Sequence, residues 1–378
     1  MKLIAGLLLL SLMVTSCSKN ENTLLDNIHI SGAVNQIDEI TGDDEIIAWI
    51  DSTNAIKGFG GGYSFYTSDY FESVSLNPGN LEGKVVYNDF STIITKSITN
   101  DGNSTLLIKE SNDFGQSYSV LFSKEKDEMR DDPWGNNIDV GNHKFGEVFI
   151  INKNKGYFFT NYRCTFCSYM QSGVIFYAIN NGFTKRLSSL PKDYFAVDSY
   201  FIDEDNGWLL VTDYDGYNTY VYKTINGGRD WEGPFDVSNH YKLSEIYALN
   251  ENKVIAFRKG GYNYVEHKVF VSEDGGENWE DINCGCGKIL EVEFVNEQIG
   301  YLVSEEDEDN IASVSNIYKT TDGGYHWEKI NTHKIYADHI DFKDENTGIA
   351  TSKNVVQITH DGGKNWDLLI YPYNNINN

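Results

Sequence analysis

The side chains here that could act as ligands, nucleophiles or proton carriers are 5 cysteines, 8 histidines and 56 aspartates and glutamates. Four cysteines form two close pairs, Cys164-Thr165-Phe166-Cys167 and Cys284-Gly285-Cys286. In an oxidising compartment each pair is expected to close on itself as a disulfide, although a ring across one intervening residue is tight. If the pairs met in space, four thiolates would instead suit Zn²⁺. A redox role for the C-x-x-C pair lacks the βαβ surroundings of such sites. Local disulfides at Cys164, Cys167, Cys284 and Cys286 are the expectation, with no metal and no cofactor.

Two carboxylates can hydrolyse a glycosidic bond, but among 56 acidic residues some pair is always at hand. A Ser-His-Asp hydrolase would show G-x-S-x-G and a zinc hydrolase H-E-x-x-H; neither occurs. The run Glu305-Glu306-Asp307-Glu308-Asp309 could collect Ca²⁺, and reads equally well as a solvated loop. The formal charge of −26 argues against nucleic acid as partner, because phosphate binding needs a basic surface. An enzyme is the less favoured class.

The elements that position these residues are legible from one octapeptide. S/T-x-D/N-G-G-x-x-W stands at 224–231, 272–279, 320–327 and 359–366. Each copy follows a short apolar run, and its glycines accept positive φ, so it reads as a hairpin turn. Asn226, Asp274, Asp322 and Asp361 are placed to accept amides of their own turn, supported by the hydroxyl two residues earlier. Trp231, Trp279, Trp327 and Trp366 are expected to bury their indoles against a neighbour. Their spacing of 48, 48 and 39 residues is that of a repeat architecture built from one supersecondary unit. An imperfect copy contains Asp113 and ends at Tyr118. A second pattern, Phe201 with Gly207-Trp208, recurs as Phe294 with Gly300-Tyr301, Phe342 with Gly348-Ile349, and Ile150 with Gly156-Tyr157. Each reads as strand, polar turn and strand.

These residues resemble the Asp-box, or BNR repeat, which closes the hairpin between the third and fourth strands of a β-propeller blade. With the first-hairpin pattern they resemble the photosystem II stability/assembly-factor family of seven-bladed propellers, well over 145–370 and poorly over 44–120. The resemblance implies an all-β chain of seven blades of four antiparallel strands. Units can be marked at about 44–75, 83–122, 145–190, 194–235, 244–283, 288–331 and 334–370, near the ~40–50 residues a blade requires. The longer interval after Asp113 is assigned to the polar stretch Ser123 to Lys144. On this map the cysteine pairs emerge on one face but two blades apart, which disfavours a shared metal. Asp-box propellers include sialidases, whose three arginines clamp the substrate carboxylate. Here the arginines are Arg130, Arg163, Arg186, Arg229 and Arg258, with Arg229 inside a turn, so sialidase activity is not expected.

Met1-Lys2 followed by the apolar run Leu3 to Val14 is shorter than the ~20 residues of a spanning helix and reads as a signal peptide. Val14-Thr15-Ser16-Cys17 resembles a bacterial lipoprotein box with Cys17 lipidated; several acyl chains on one residue anchor stably. The expected organisation is a signal peptide over 1–16, a lipidated cysteine and tether over 17–43, and a propeller over 44–372. The expected location is the bacterial cell envelope, with Ser18 pointing to the outer membrane and the lipid as the only membrane contact.

Binding is expected on the loops between second and third strands, where glycine and tyrosine gather beside acidic and amide groups. Tyr63, Tyr162, Tyr169, Tyr214, Tyr217, Tyr262, Tyr264 and Arg258 are the candidate residues. Tyrosine offers a large apolar area and a hydrogen-bonding tip, although any one of these can equally pack between blades. The expected function is a binding or scaffolding module for an envelope protein partner. The alternative is a cell-surface glycan-binding protein or glycoside hydrolase.

Overall fold

Alternating apolar residues between Gly- and Asn-rich turns leave this chain short strands to build with, and a meander is the shortest way to pair them. The computed structural model describes strand backbones 46–49, 55–59, 63–67, 75–77, 84–88 and 93–98. It further describes 105–112, 117–125, 144–152, 154–164, 171–181, 183–190, 193–213, 216, 218–238, 242–258, 268–305, 315–331, 335, 337–352 and 355–370. Among these residues the strands form seven sheets, each of four consecutive antiparallel strands.

The first strands of the sheets are β1 (Ile46–Trp49), β5 (Lys84–Asn88), β9 (Lys144–Asn152), β13 (Tyr194–Phe201), β17 (Glu245–Ala248), β21 (Lys288–Phe294) and β25 (His339–Phe342). Each of β1, β5, β9 and β13 lies beside the next in this series, β21 lies beside β25, and β25 returns to β1. The sheets are therefore blades around a ring, numbered 1 to 7 in chain order. Every blade takes its strands from one continuous stretch, so the ring closes by packing alone. The first and third connections of every blade lie on one face, called here the turn face. The second connection and the crossing to the next blade lie on the other, the loop face. The polar excursion is shorter than expected: Ser123 to Glu125 end β8 (Ser119–Glu125) and Lys144 opens β9.

The repeated Phe and Gly of the first hairpin are cross-strand partners, Phe294 with Gly300 and Phe342 with Gly348. The ring lies on the glycine so closely that a Cβ at either would come within 2.6 Å of it. The residue after that glycine ties one blade to the next. Trp208 is wholly buried and its Nε1 donates to Gly275 O at 2.8 Å. Tyr157 Oη donates to Glu204 O at 2.7 Å and Tyr301 Oη to Glu345 O at 2.8 Å. Innermost strands are sheet edges, whose outward amides lack a strand partner. Side chains of the preceding blade serve them instead. Asp198 accepts Ile246 N at 2.9 Å, Glu291 accepts Ile340 N at 2.8 Å and Glu293 accepts Phe342 N at 2.9 Å.

Candidate functional site

The octapeptide turns are saturated with their own hydrogen bonds. Ser272 Oγ donates to Asp274 Oδ1 and accepts Gly276 N, both at 2.8 Å. Asp274 Oδ1 accepts the amides of Glu277 and Asn278 at 3.1 and 2.9 Å, and its Oδ2 accepts Asn278 Nδ2 at 2.7 Å. Asp322 and Asp361 repeat this with His326 and Asn365. Asn226 accepts Asp230 N at 3.0 Å. The first glycine of each turn donates to the first hairpin of its own blade, as from Gly275 N to Asn252 O at 2.6 Å and Gly323 N to Gln298 O at 2.9 Å. Burial pushes the Asp274, Asp322 and Asp361 carboxyls up, but hydrogen bonds led by the Asn278, His326 and Asn365 amides outweigh it and hold all three below the usual range.

The tryptophans pack against the core between their own blade and the preceding one, as expected, but less deeply. Trp231, Trp279, Trp327 and Trp366 are only half-buried, because they start the outermost strand, which has a neighbour on one edge only. Trp279, Trp327 and Trp366 donate their indole N–H to a glycine carbonyl of their own turn at 2.9 Å. Trp231 instead donates to Ser188 Oγ of blade 3 at 3.1 Å.

On the loop face, blade 4 gathers accessible chemistry. Its strands are β13, β14 (Gly207–Asp213), β15 (Thr219–Thr224) and β16 (Glu232–Ser238). Tyr194 stands opposite Asp213, and Tyr220 opposite Asp236. The Tyr194 ring is perpendicular to Tyr220 (5.5 Å between centroids, 81°) and to Tyr222 (5.8 Å, 81°). Tyr194 and Tyr220 are half-exposed, whereas Tyr222 is buried. Asp193, just before β13, has a φ of +78°, a strained conformation for a residue with a Cβ. Burial, and then Asp236, Asp213 and Asp193, push the Tyr194 phenol up. Burial, and then Asp213, do the same to Tyr220.

Asp213 ends β14 and accepts Asn218 Nδ2 at 2.6 Å and Gly216 N, through its carbonyl, at 3.0 Å. Beside it a cleft of about 440 Å³ is lined by Phe195, Ala196, Val197, Thr212, Asp213, Gly216 and Lys242. Val197 is the bulged residue where β13 slips register against β14, between Ala196 and Asp198.

Of the sequence candidates, Tyr63 begins β3 (Tyr63–Thr67), while Tyr162 and Cys164 belong to the backbone of β10 (Lys155–Cys164). Arg258 is half-buried directly after β18 (Val254–Phe257). Tyr214 and Tyr217, in the blade 4 loop, lie outside the described residues, as do Cys17, Asp113, Cys167, Tyr169, Tyr262 and Tyr264. Cys284 and Cys286 form a disulfide with Cα atoms 5.1 Å apart. Glu305 pairs with Lys288 at 2.7 Å, and 306–309 lie outside the described residues. Sequence reasoning missed Tyr194, Tyr220, Asp236 and Lys242, which come from separate strands and a crossing. The available signal was tyrosine at two strand starts, Tyr194 after Asp193 and Tyr220 after Asn218-Thr219.

Ring, blades and fastened hairpins define the chain as a β-propeller. No protein-family model matches it, and neither does any curated protein. Solved structures do. YCF48 from Cyanidioschyzon merolae is 13% identical over 84% of this chain and 92% of its own, with a TM-score of 0.49. The GH74 xyloglucanase from Xanthomonas campestris is 11% identical over 84% of this chain and 51% of its own, with a TM-score of 0.55. The acylaminoacyl peptidase from Pyrococcus horikoshii is 9% identical over 86% of this chain and 52% of its own, also at 0.55. The chain thus spans about half the length of these two enzymes. At such identities the likeness is one of fold.

Proposed function

We propose that the protein is an exported, lipid-anchored propeller that docks a protein partner of the cell envelope on its loop face, centred on blade 4. The observation that carries this reading is the blade 4 rim: two partly exposed tyrosines and a strained aspartate gather there, and Asp213, opposite Tyr194, also borders the cleft on the other side of the sheet. The octapeptide turns on the opposite face have spent their polar groups on one another. Tyrosine supplies interface area at small entropic cost, and backbone strain gathers where binding needs a fixed geometry. Lipidation of Cys17 and the tether over 17–43 would hold this face at the membrane. The test is cross-linking capture from envelope membranes with the full lipidated chain. One partner captured in stoichiometric amount, and lost on Tyr220→Ala, is the expected result. A glycan-array signal without a captured protein would overturn the reading in favour of carbohydrate.

A further inference from the structure

The blade 4 rim also indicates what kind of group it receives, on the understanding that it is the docking site proposed above. Asp213 stands opposite Tyr194 and Asp236 opposite Tyr220 across the strands, and Asp193 directly precedes Tyr194. Among the described residues neither Asp193 nor Asp236 has an ion-pair partner, and the nearby cation, Lys242, lines the cleft on the blade 5 side. An independent sign is Tyr222. It is 2% exposed, its ring stands at right angles to Tyr194, and its buried hydroxyl has no hydrogen-bond partner among the described residues.

The rings are set at right angles, so they form a corner and offer no flat platform of the kind a sugar ring stacks on. An aromatic corner backed by carboxylates matches a compact cation, attracted by ring faces and acid alike. The chain's charge of −26 would steer such a partner to it. We infer that a lysine or arginine side chain of the partner seats against Tyr194 and Tyr220, its charge between Asp213 and Asp236.

The test titrates the full chain with an acetylated hexapeptide carrying two arginines, and with the same peptide carrying citrulline, which keeps the shape and removes the charge. Expected is binding of the arginine peptide alone, weakened about tenfold in the double variant Tyr220→Ala/Asp236→Asn. The control Glu277→Gln, on the turn face, should leave it unchanged. Equal binding of the citrulline peptide, an unaffected double variant, or an equal loss in the control would each overturn the inference. Asp236 is exposed and Tyr220 packs partly against the core between blades 3 and 4, so a melting curve checks the fold of the double variant. If the double variant loses capture of the envelope partner yet binds the arginine peptide as the unaltered chain does, this inference fails while docking stands. If the unaltered chain captures no protein and responds to glycans, docking fails and the inference with it.

Discussion

Trp279 and Trp208 show how differently one residue type can be used in this chain. Trp279 is half-buried and bonded within its own turn, whereas Trp208 is wholly buried and donates to the next blade. Trp279→Ala should therefore cost about 2 kcal/mol, and Trp208→Ala the ~3–5 kcal/mol of a fully buried aromatic. Urea unfolding would rank the two; the reverse order would contradict the burial argument. Titration distinguishes the carboxylates in the same way. Asp274, Asp322 and Asp361 are held low, so the stability they add is present above the unfolded carboxyl pKa of about 3.9 and is lost as pH falls through their folded values. Glu293 is the opposite case. Burial and then the Asp341 carboxylate push it well above the usual range, against the pull of the Phe342 amide. Facing it are Glu291 on its own strand, which His339 approaches at 3.5 Å, Asp341 on β25, Tyr247 on β17 and Tyr301 on β22 (Gly300–Glu305). Its contribution is complete below the unfolded pKa of about 4.3 and fades as pH rises through the folded one. Glu293→Gln should flatten the stability profile over that window and raise stability above it, as read from melting temperature against pH; an unchanged slope would contradict the assignment.

The hairpin is the element this sequence spells out most fully. The turn glycines and the Phe-Gly cross-strand pair are imposed by backbone geometry, so they appear as fixed residues at fixed spacing and could be read directly. Gly323 has a φ of +72°, and a Cβ there would lie 2.7 Å from Glu297 O. Gly323→Ala should accordingly destabilise by about 2 kcal/mol or more, measurable by denaturant unfolding, and a neutral result would mean the turn can relax. The proposed docking rim was only half legible. Its loop, Asp213 to Tyr217, stood out by composition. Tyr194, Tyr220 and Asp236 did not, because they meet through strand pairing across sequence separations that carry no local signal. Asp236 alone reads as one more solvated acid.

Across the whole molecule, the turn face holds the blades together while the loop face remains available for binding. The chain's −26 charge acts at this scale as well, and would draw the proposed basic partner from beyond contact distance. Association with the proposed envelope partner should therefore slow as salt shortens the Debye length from about 10 Å at 0.1 M; a rate indifferent to salt would argue for an apolar interface. Cys17→Ala should shift the protein from the membrane to the soluble fraction, and retention at the membrane would remove the lipid anchor from the proposal. The division between the two faces is tested most directly by measuring melting temperature and partner capture side by side for Tyr220→Ala/Asp236→Asn and for Asp274→Ala. The rim variant should melt with the unaltered chain and lose capture, while the turn variant should melt lower and, below its melting point, still capture. The opposite pattern, with capture lost through the turn and kept without the rim, would contradict the assignment of binding to the loop face.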